Sequence, residues 1–520
     1  MIQNKKIITF IYVFILSLVF NGYAYGKKST SAVKVNLSKL NAYFEKARKE
    51  WKIPGMAIAI VKDGKVVLAK GYGVKEFSKK EKVDERTLFA IASNTKAFTA
   101  AALSILKDEG KIRWDDKVRK HLPYFKLYDP FVTEEMTIRD LLCHRCGLKT
   151  FSGDLLWYET PYSTVEVIKR ARYLKPTSSF RTRFGYSNIM FMAAGKIVPA
   201  VTGKQWKDFV KERIFTPLGM KTTNTGTREL KNYPNVAAAH YVPINSNSKP
   251  ITVSYTSSDN LAGAGAINSN VIEMAQWIKM LLNNGAFNDR RILGERSIWE
   301  MWSAHTVLPV SRSAKKHFPS THFRSYGLGW FLFDYYGYKI INHGGGLDGM
   351  ISKIALVPEI KMGLVILTNS INSLPTALMY KIIDTYLDVT PKDWSRISLE
   401  RYRKSAEKAV QKHPIGIEKK VNLEDYTGIY GGPMYGDAKV TLEKGKLVLD
   451  FLPAPIFISD LSHLHYDIFQ LKLRNTFSFI PSGMGTVQFL RNKKGKVVEM
   501  KVDIPNHDFH FTELEFKKEK

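Results

Sequence analysis

Residues 91–106 read IASNTKAFTAAALSIL, a run with the spacing of a helix that is apolar on every side. A helix of that kind is a buried one, so it commits the chain to a core thick enough to enclose it. Yet Ser93 and Lys96 stand at its head. An unpaired ammonium is costly inside a core, and lysine is rarely fully buried. Positions i and i+3 share a helix face, with Cβ atoms about 5–6 Å apart. A serine hydroxyl is a weak nucleophile that needs a base, and a desolvated lysine with a lowered pKa provides one. Ser93 at the helix start also places its N–H where free donors can hold an oxyanion. The bland alternative is a serine N-cap followed by a surface lysine, and S-x-x-K recurs by chance in a chain of 520 residues. The apolar run around the pair is what favours chemistry.

The rest of the chain supplies the setting. Residues 38–51 repeat apolar positions at helical spacing, and 53–74 read as a hairpin turning at Asp63-Gly64. Helical stretches follow near 137–143, 164–173, 188–201, 205–214 and 271–284, then strands over 326–345 and 350–369 and a helix over 374–388. Strands at both ends with helices between them predict an α+β fold: an antiparallel sheet flanked by helices plus an all-helical region. This first domain is expected over residues 33–390. Prolines and charges over 391–420 read as a linker. Alternating polar and apolar residues over 421–520 predict a small all-β domain, a barrel or a sandwich.

Two further segments carry polar groups in unusual company: RFGYSNIMF (183–191) and INHGGGLDG (341–349). The His-Gly-Gly-Gly string also occurs in lipase-type oxyanion loops, but no G-x-S-x-G elbow exists to serve it. Taken in order, Ser93-Asn94-Thr95-Lys96, Tyr186-Ser187-Asn188 and His343-Gly344-Gly345 resemble the three motifs of the serine β-lactamase and penicillin-binding protein superfamily. The Tyr-x-Asn form resembles the class C β-lactamase branch, with its esterases and D-amino-acid peptidases. The likeness extends over roughly residues 38–390, including LLCHRCGL, TPLGM and YGLGW. The trailing β-domain is similar to a poorly characterised module found behind such hydrolases.

The resemblance implies roles. Ser93 becomes the acylated nucleophile and Lys96 takes or relays its proton. Tyr186 acts as general base or as acid to the leaving group, with a phenol pKa depressed by Lys96; the alternative is a core tyrosine. Asn188 binds the substrate amide, or caps the helix that follows. His343 replaces the lysine of many relatives, which weakens recognition of a β-lactam carboxylate. Gly344 and Gly345 give the substrate an unobstructed strand. The N–H groups of Ser93 and Gly346 form the oxyanion hole. Asp348 is expected to be a solvated loop carboxylate, and His144 to organise backbone. Cys146 stands where serine is usual.

These residues imply an exported serine hydrolase acting on an ester or amide (D-amino-acid peptide, small ester or β-lactam) through an acyl-serine. The competing expectation is a non-catalytic peptidoglycan or envelope-binding protein that retains the fold. No metal or organic cofactor is expected, since no metal-ligand cluster is legible. Cys143 and Cys146 read as packed thiols in preference to a disulfide. The net charge of +30 is scattered and carries no nucleic-acid-binding motif. It suits loose association with anionic envelope components. Lys5 and Lys6, the apolar run Ile7–Phe20 and Ala24-Tyr25-Gly26 have the layout of a signal peptide over 1–26, hence a periplasmic or secreted location. The run is short of the roughly 20 residues that span a bilayer, and an uncleaved anchor is the alternative.

Overall fold

A computed structural model describes residues 35–243, 249–255, 257–408, 421–480 and 482–519. The expected signal peptide and most of the second half of the expected linker lie outside them. Helix α1 (Leu37–Glu50) opens at Asn36, whose side chain accepts from Lys39 N at 2.9 Å. Arg48 and Lys49 close it, where cations suit the helix dipole. Strands β1 (Gly55–Lys62) and β2 (Lys65–Gly73) form the hairpin. Asp63 and Gly64 take φ values of 49° and 74°, the left-handed conformation a tight two-residue turn requires.

Helix α2 (Thr95–Asp108) buries every residue from Thr95 to Leu106, as the all-round apolar run predicts. It packs against α3 (Asn188–Thr202), and Phe98 stacks on Trp277 of α4 (Val271–Leu282) with ring centroids 4.1 Å apart. Six further strands complete the sheet: β3 (Thr306–Leu308), β4 (Arg324–Tyr326), β5 (Phe331–Tyr335), β6 (Tyr338–Leu347), β7 (Met350–Val357) and β8 (Met362–Thr368). Their order is β3-β4-β5-β6-β7-β8-β1-β2, every neighbouring pair antiparallel. β1 explains the architecture by itself. Ala57, Ala59 and Val61 face the core around α2 and α4, while Met56, Ile58 and Ile60 face α1 and α5 (Leu374–Leu387). A strand apolar on both sides is an interior strand, here second from the edge, of a sheet covered on both faces.

The expected linker is corrected in its first half. Trp394–Lys408 forms helix α6, packed on α5. The buried Trp394 indole donates to Asp384 at 2.6 Å, and Trp51 donates to Ser395 at 3.0 Å. The prolines and charges of the segment hid one apolar anchor, Trp394. The C-terminal domain is a closed eight-stranded barrel running from Gly428–Gly431 to Phe516–Lys518, closed by the pairing Tyr430↔Lys518. Closure settles barrel against sandwich and leaves no exposed edge. Its aromatic core runs on into the hydrolase domain: Phe509 packs on Tyr158 with centroids 4.5 Å apart, and Phe457 stacks on the same ring. Among the described residues no helix is long and apolar enough to cross a membrane.

Candidate active site

The three motif segments meet in one cavity of about 610 Å³, reached by Ser93, Tyr186, Asn188, His343, Gly344 and Gly346. Ser93 lies in a short 3-10 turn, Ala92–Asn94, that feeds α2. Ala92 before it holds φ at 46°, a left-handed conformation that costs a non-glycine residue roughly 1 kcal/mol. Neighbours hold that bend. Ser352 donates to the Ile91 carbonyl at 2.6 Å and accepts from the Asn94 amide at 2.7 Å. Gly345 lies so close that a Cβ there would overlap the Ile91 carbonyl oxygen and stand 2.9 Å from Ser93 N. Strand β6 therefore abuts the Ser93 backbone because residue 345 has no side chain.

Lys96 is fully buried. Its ammonium donates to Ser93 Oγ at 3.1 Å, Asn188 Oδ1 at 2.6 Å and the Ala264 carbonyl at 2.8 Å. Burial pulls its pKa down to about 7, with Asp154 opposing. Asp154 is a site residue that no sequence motif announces. It is buried and accepts from Asn188 Nδ2 at 2.7 Å; burial pushes its carboxyl pKa up while the Lys96 charge opposes the rise. One amide thus links Lys96 to Asp154. Asn188 does not cap its helix: Ser187 is the N-cap of α3 and accepts from Met190 N. Both polar atoms of the Asn188 side chain are engaged inside the site, so its first task is to hold Lys96.

Tyr186 is buried beside Ser93, whose side chain opposes the rise in its phenol pKa. The Lys96 ammonium lies 4.8 Å from the centre of its ring. The expected depressed phenol is corrected: desolvation dominates and drives its pKa up. His144 stacks on this ring at 4.1 Å, and its Nδ1 accepts from Ser187 N at 3.0 Å, which fixes the turn as expected. Burial keeps it neutral.

His343 is also buried and neutral, its pKa lowered to about 3 by desolvation and by the Lys96 charge. Its Nδ1 is 2.6 Å from the Gly344 carbonyl, an acceptor, so Nδ1 carries the proton. Nε2 then accepts from the Tyr326 hydroxyl at 3.0 Å. Both ring nitrogens are occupied, and His343 presents neither charge nor a spare donor to a substrate. Gly344 and Gly346 line the cavity as expected.

The barrel builds one wall. Phe479, Asp508 and Phe509 line the cavity, and Phe479 comes within about 4 Å of a Cβ position on Gly346. Glu513 accepts from Ser152 Oγ at 2.7 Å and Gly153 N at 2.9 Å, pinning the loop that carries Asp154. Asp348 is buried, which corrects the solvated-loop expectation. It accepts from Tyr158 and from Ser478 of the barrel, the latter at 2.7 Å. Cys143 and Cys146 are free, buried thiols with pKa values pushed up to about 12 and about 11.

A half-buried serine bonded to a buried lysine, a neighbouring tyrosine and a glycine-edged strand on an antiparallel sheet define the class of β-lactamase-like hydrolases. The chain belongs to the beta-lactamase family, whose profile matches residues 40–380. The barrel matches a domain of unknown function, DUF3471, over 413–518. An unguisins hydrolase of Aspergillus campestris is 32% identical over 422 residues, covering 77% of this chain and 76% of that one. A penicillin-binding protein homologue from Pyrococcus abyssi superposes with a TM-score of 0.61 at 21% identity, covering 93% of this chain and all (100%) of that one. The D-amino acid amidase of Ochrobactrum anthropi gives 0.54 at 23% identity over 67% of this chain and 98% of that one.

Proposed function

We propose that this protein is an exported serine hydrolase that acts through an acyl-Ser93 intermediate on amides and esters. D-amino-acid peptides or amides come first, then small esters, then β-lactams. The observation that carries the reading is the 3.1 Å hydrogen bond between Ser93 Oγ and an amine whose pKa burial has lowered to about 7. About half of such amines are unprotonated at neutral pH, against almost none of an ordinary lysine. The relatives named a hydrolase and a D-amino acid amidase support the reaction class.

Lys96 takes the Ser93 proton as Oγ attacks the substrate carbonyl. The oxyanion rests on the N–H groups of Ser93 and Gly346. Tyr186, neutral and beside Ser93, gives its proton to the leaving nitrogen or oxygen and is reprotonated from the Lys96 ammonium, so both groups end the step as they began it. Water then attacks the acyl group and restores Ser93. His343, neutral and doubly occupied, gives a β-lactam carboxylate no charge at the motif position, and β-lactams are ranked last on that position alone.

Intact-protein mass spectrometry after exposure to a fluorophosphonate, D-amino-acid amides, esters and penicillin tests the reading. One acyl adduct is expected on the wild type and none on Ser93→Ala. No adduct with any probe supports the binding-protein alternative. N-terminal sequencing of protein recovered outside the cytoplasm tests export, which rests on residues 1–26.

A further inference from the structure

The cavity does not end at the catalytic groups. It passes Gly344 into a second lobe on the face of the sheet that α5 covers, walled by Phe318, Phe333 and Tyr380. Lys353 of β7 pairs with Gly344 in the sheet register. Its ammonium lies 4.0 Å from where a Gly344 Cβ would be, so no side chain separates it from the substrate-facing strand. Among the described residues one of its three donors has a partner, Asn342 Oδ1 at 2.6 Å. Asn342 is held in turn by its bond to the Phe331 carbonyl at 3.2 Å. Arg324 lines the same lobe from its exposed end.

Among the described residues neither Lys353 nor Arg324 pairs with a carboxylate. Two like charges in an aromatic-walled lobe repel, and the lysine pKa falls to about 8 through burial and the Arg324 charge. An anion entering the lobe would relieve both penalties, in surroundings where charge–charge attraction is stronger than in water. His343, at the motif position, supplies no charge. The missing cation stands one strand away, on Lys353.

We propose that Lys353, Arg324 and Asn342 form a carboxylate subsite that takes an anionic group of the substrate, making the preferred substrate an amide or peptide that bears a carboxylate beside an aromatic or aliphatic side chain. The proposal rests on the hydrolase reading for its word "substrate" but is tested by binding, without turnover. The full chain carrying Ser93→Ala is titrated calorimetrically with N-acetyl-D-phenylalanine and with its primary amide. The acid is expected to bind about tenfold tighter or better, as a hydrogen-bonded charge pair provides. Adding Lys353→Met, close in volume, should erase that advantage; Arg324→Met should reduce it. Circular dichroism and a melting curve of each variant show that the fold is intact.

Equal affinities for acid and amide overturn the proposal, as does an advantage that survives Lys353→Met, or no binding of either compound at millimolar concentration. Acetate binding as tightly as N-acetyl-D-phenylalanine assigns the lobe to a free anion and overturns the substrate claim. A wild type that Ser93 probes never acylate would sink the hydrolase reading yet leave the affinity difference standing. Brisk hydrolysis with no acid preference would do the reverse.

Discussion

At the residue scale, the site works by withholding water from one amine. Lys96 loses its charge near neutrality because it is buried, and the nearby Asp154 carboxyl opposes that loss by charge attraction. The acid limb of kcat/KM should therefore fall near pH 7, activity rising as Lys96 deprotonates. Because Asp154 raises the lysine pKa, Asp154→Asn should move that limb to lower pH; a limb that stays put or moves up contradicts that attraction. A pH–rate series on both proteins decides it. Gly345→Ala is the steric counterpart. The added methyl meets backbone at Ile91 and Ser93, so the nucleophile must shift. We expect a loss of about 1–3 kcal/mol in stability, read by denaturant titration, and of about a hundredfold in kcat/KM. Ser93, Lys96, Tyr186 and Gly345 were legible as residues because each sits in a short motif. Asp154, Lys353 and Asp348 were not, because their role arises from burial and cross-domain packing that no local spacing encodes.

At the scale of elements, legibility followed periodicity. The all-round apolar run over 95–106 became a buried helix, and the apolar run of β1 became an interior strand covered on both faces. Where one buried aromatic anchors an otherwise charged segment, as Trp394 anchors α6, the pattern read as linker. The docking of the barrel was equally silent. It rests on Glu513 gripping Ser152 and Gly153, on Ser478 holding Asp348, and on Phe509 against Tyr158. Glu513→Ala removes two charge-assisted hydrogen bonds from the loop that carries Asp154. It should cost about 1–3 kcal/mol by chemical denaturation and lower kcat/KM, although residue 513 lies far along the chain from every motif. Unchanged kinetics in that variant would mean that the barrel covers the site without positioning it.

At the scale of the whole molecule, a charge of +30 predicts binding to anionic polymers that depends on ionic strength. Co-sedimentation with isolated peptidoglycan should be strong in dilute buffer and largely lost at about 0.5 M salt, where screening lengths fall to a few ångströms. Salt-independent binding would point to a specific site instead. The larger design is that segments near residues 93, 186 and 343, with a barrel wall from 479 and 509, close one cavity around one hydroxyl and one amine. The most direct test is the pH dependence of the rate at which a D-amino-acid ester acylates Ser93, followed by quenched intact-protein mass spectrometry in wild type and Lys96→Met. The account predicts a single acyl adduct forming with an apparent pKa near 7 in the wild type and slowed by a hundredfold or more in the variant, about the weight of a general base. Acylation that proceeds equally fast without the lysine amine would contradict it.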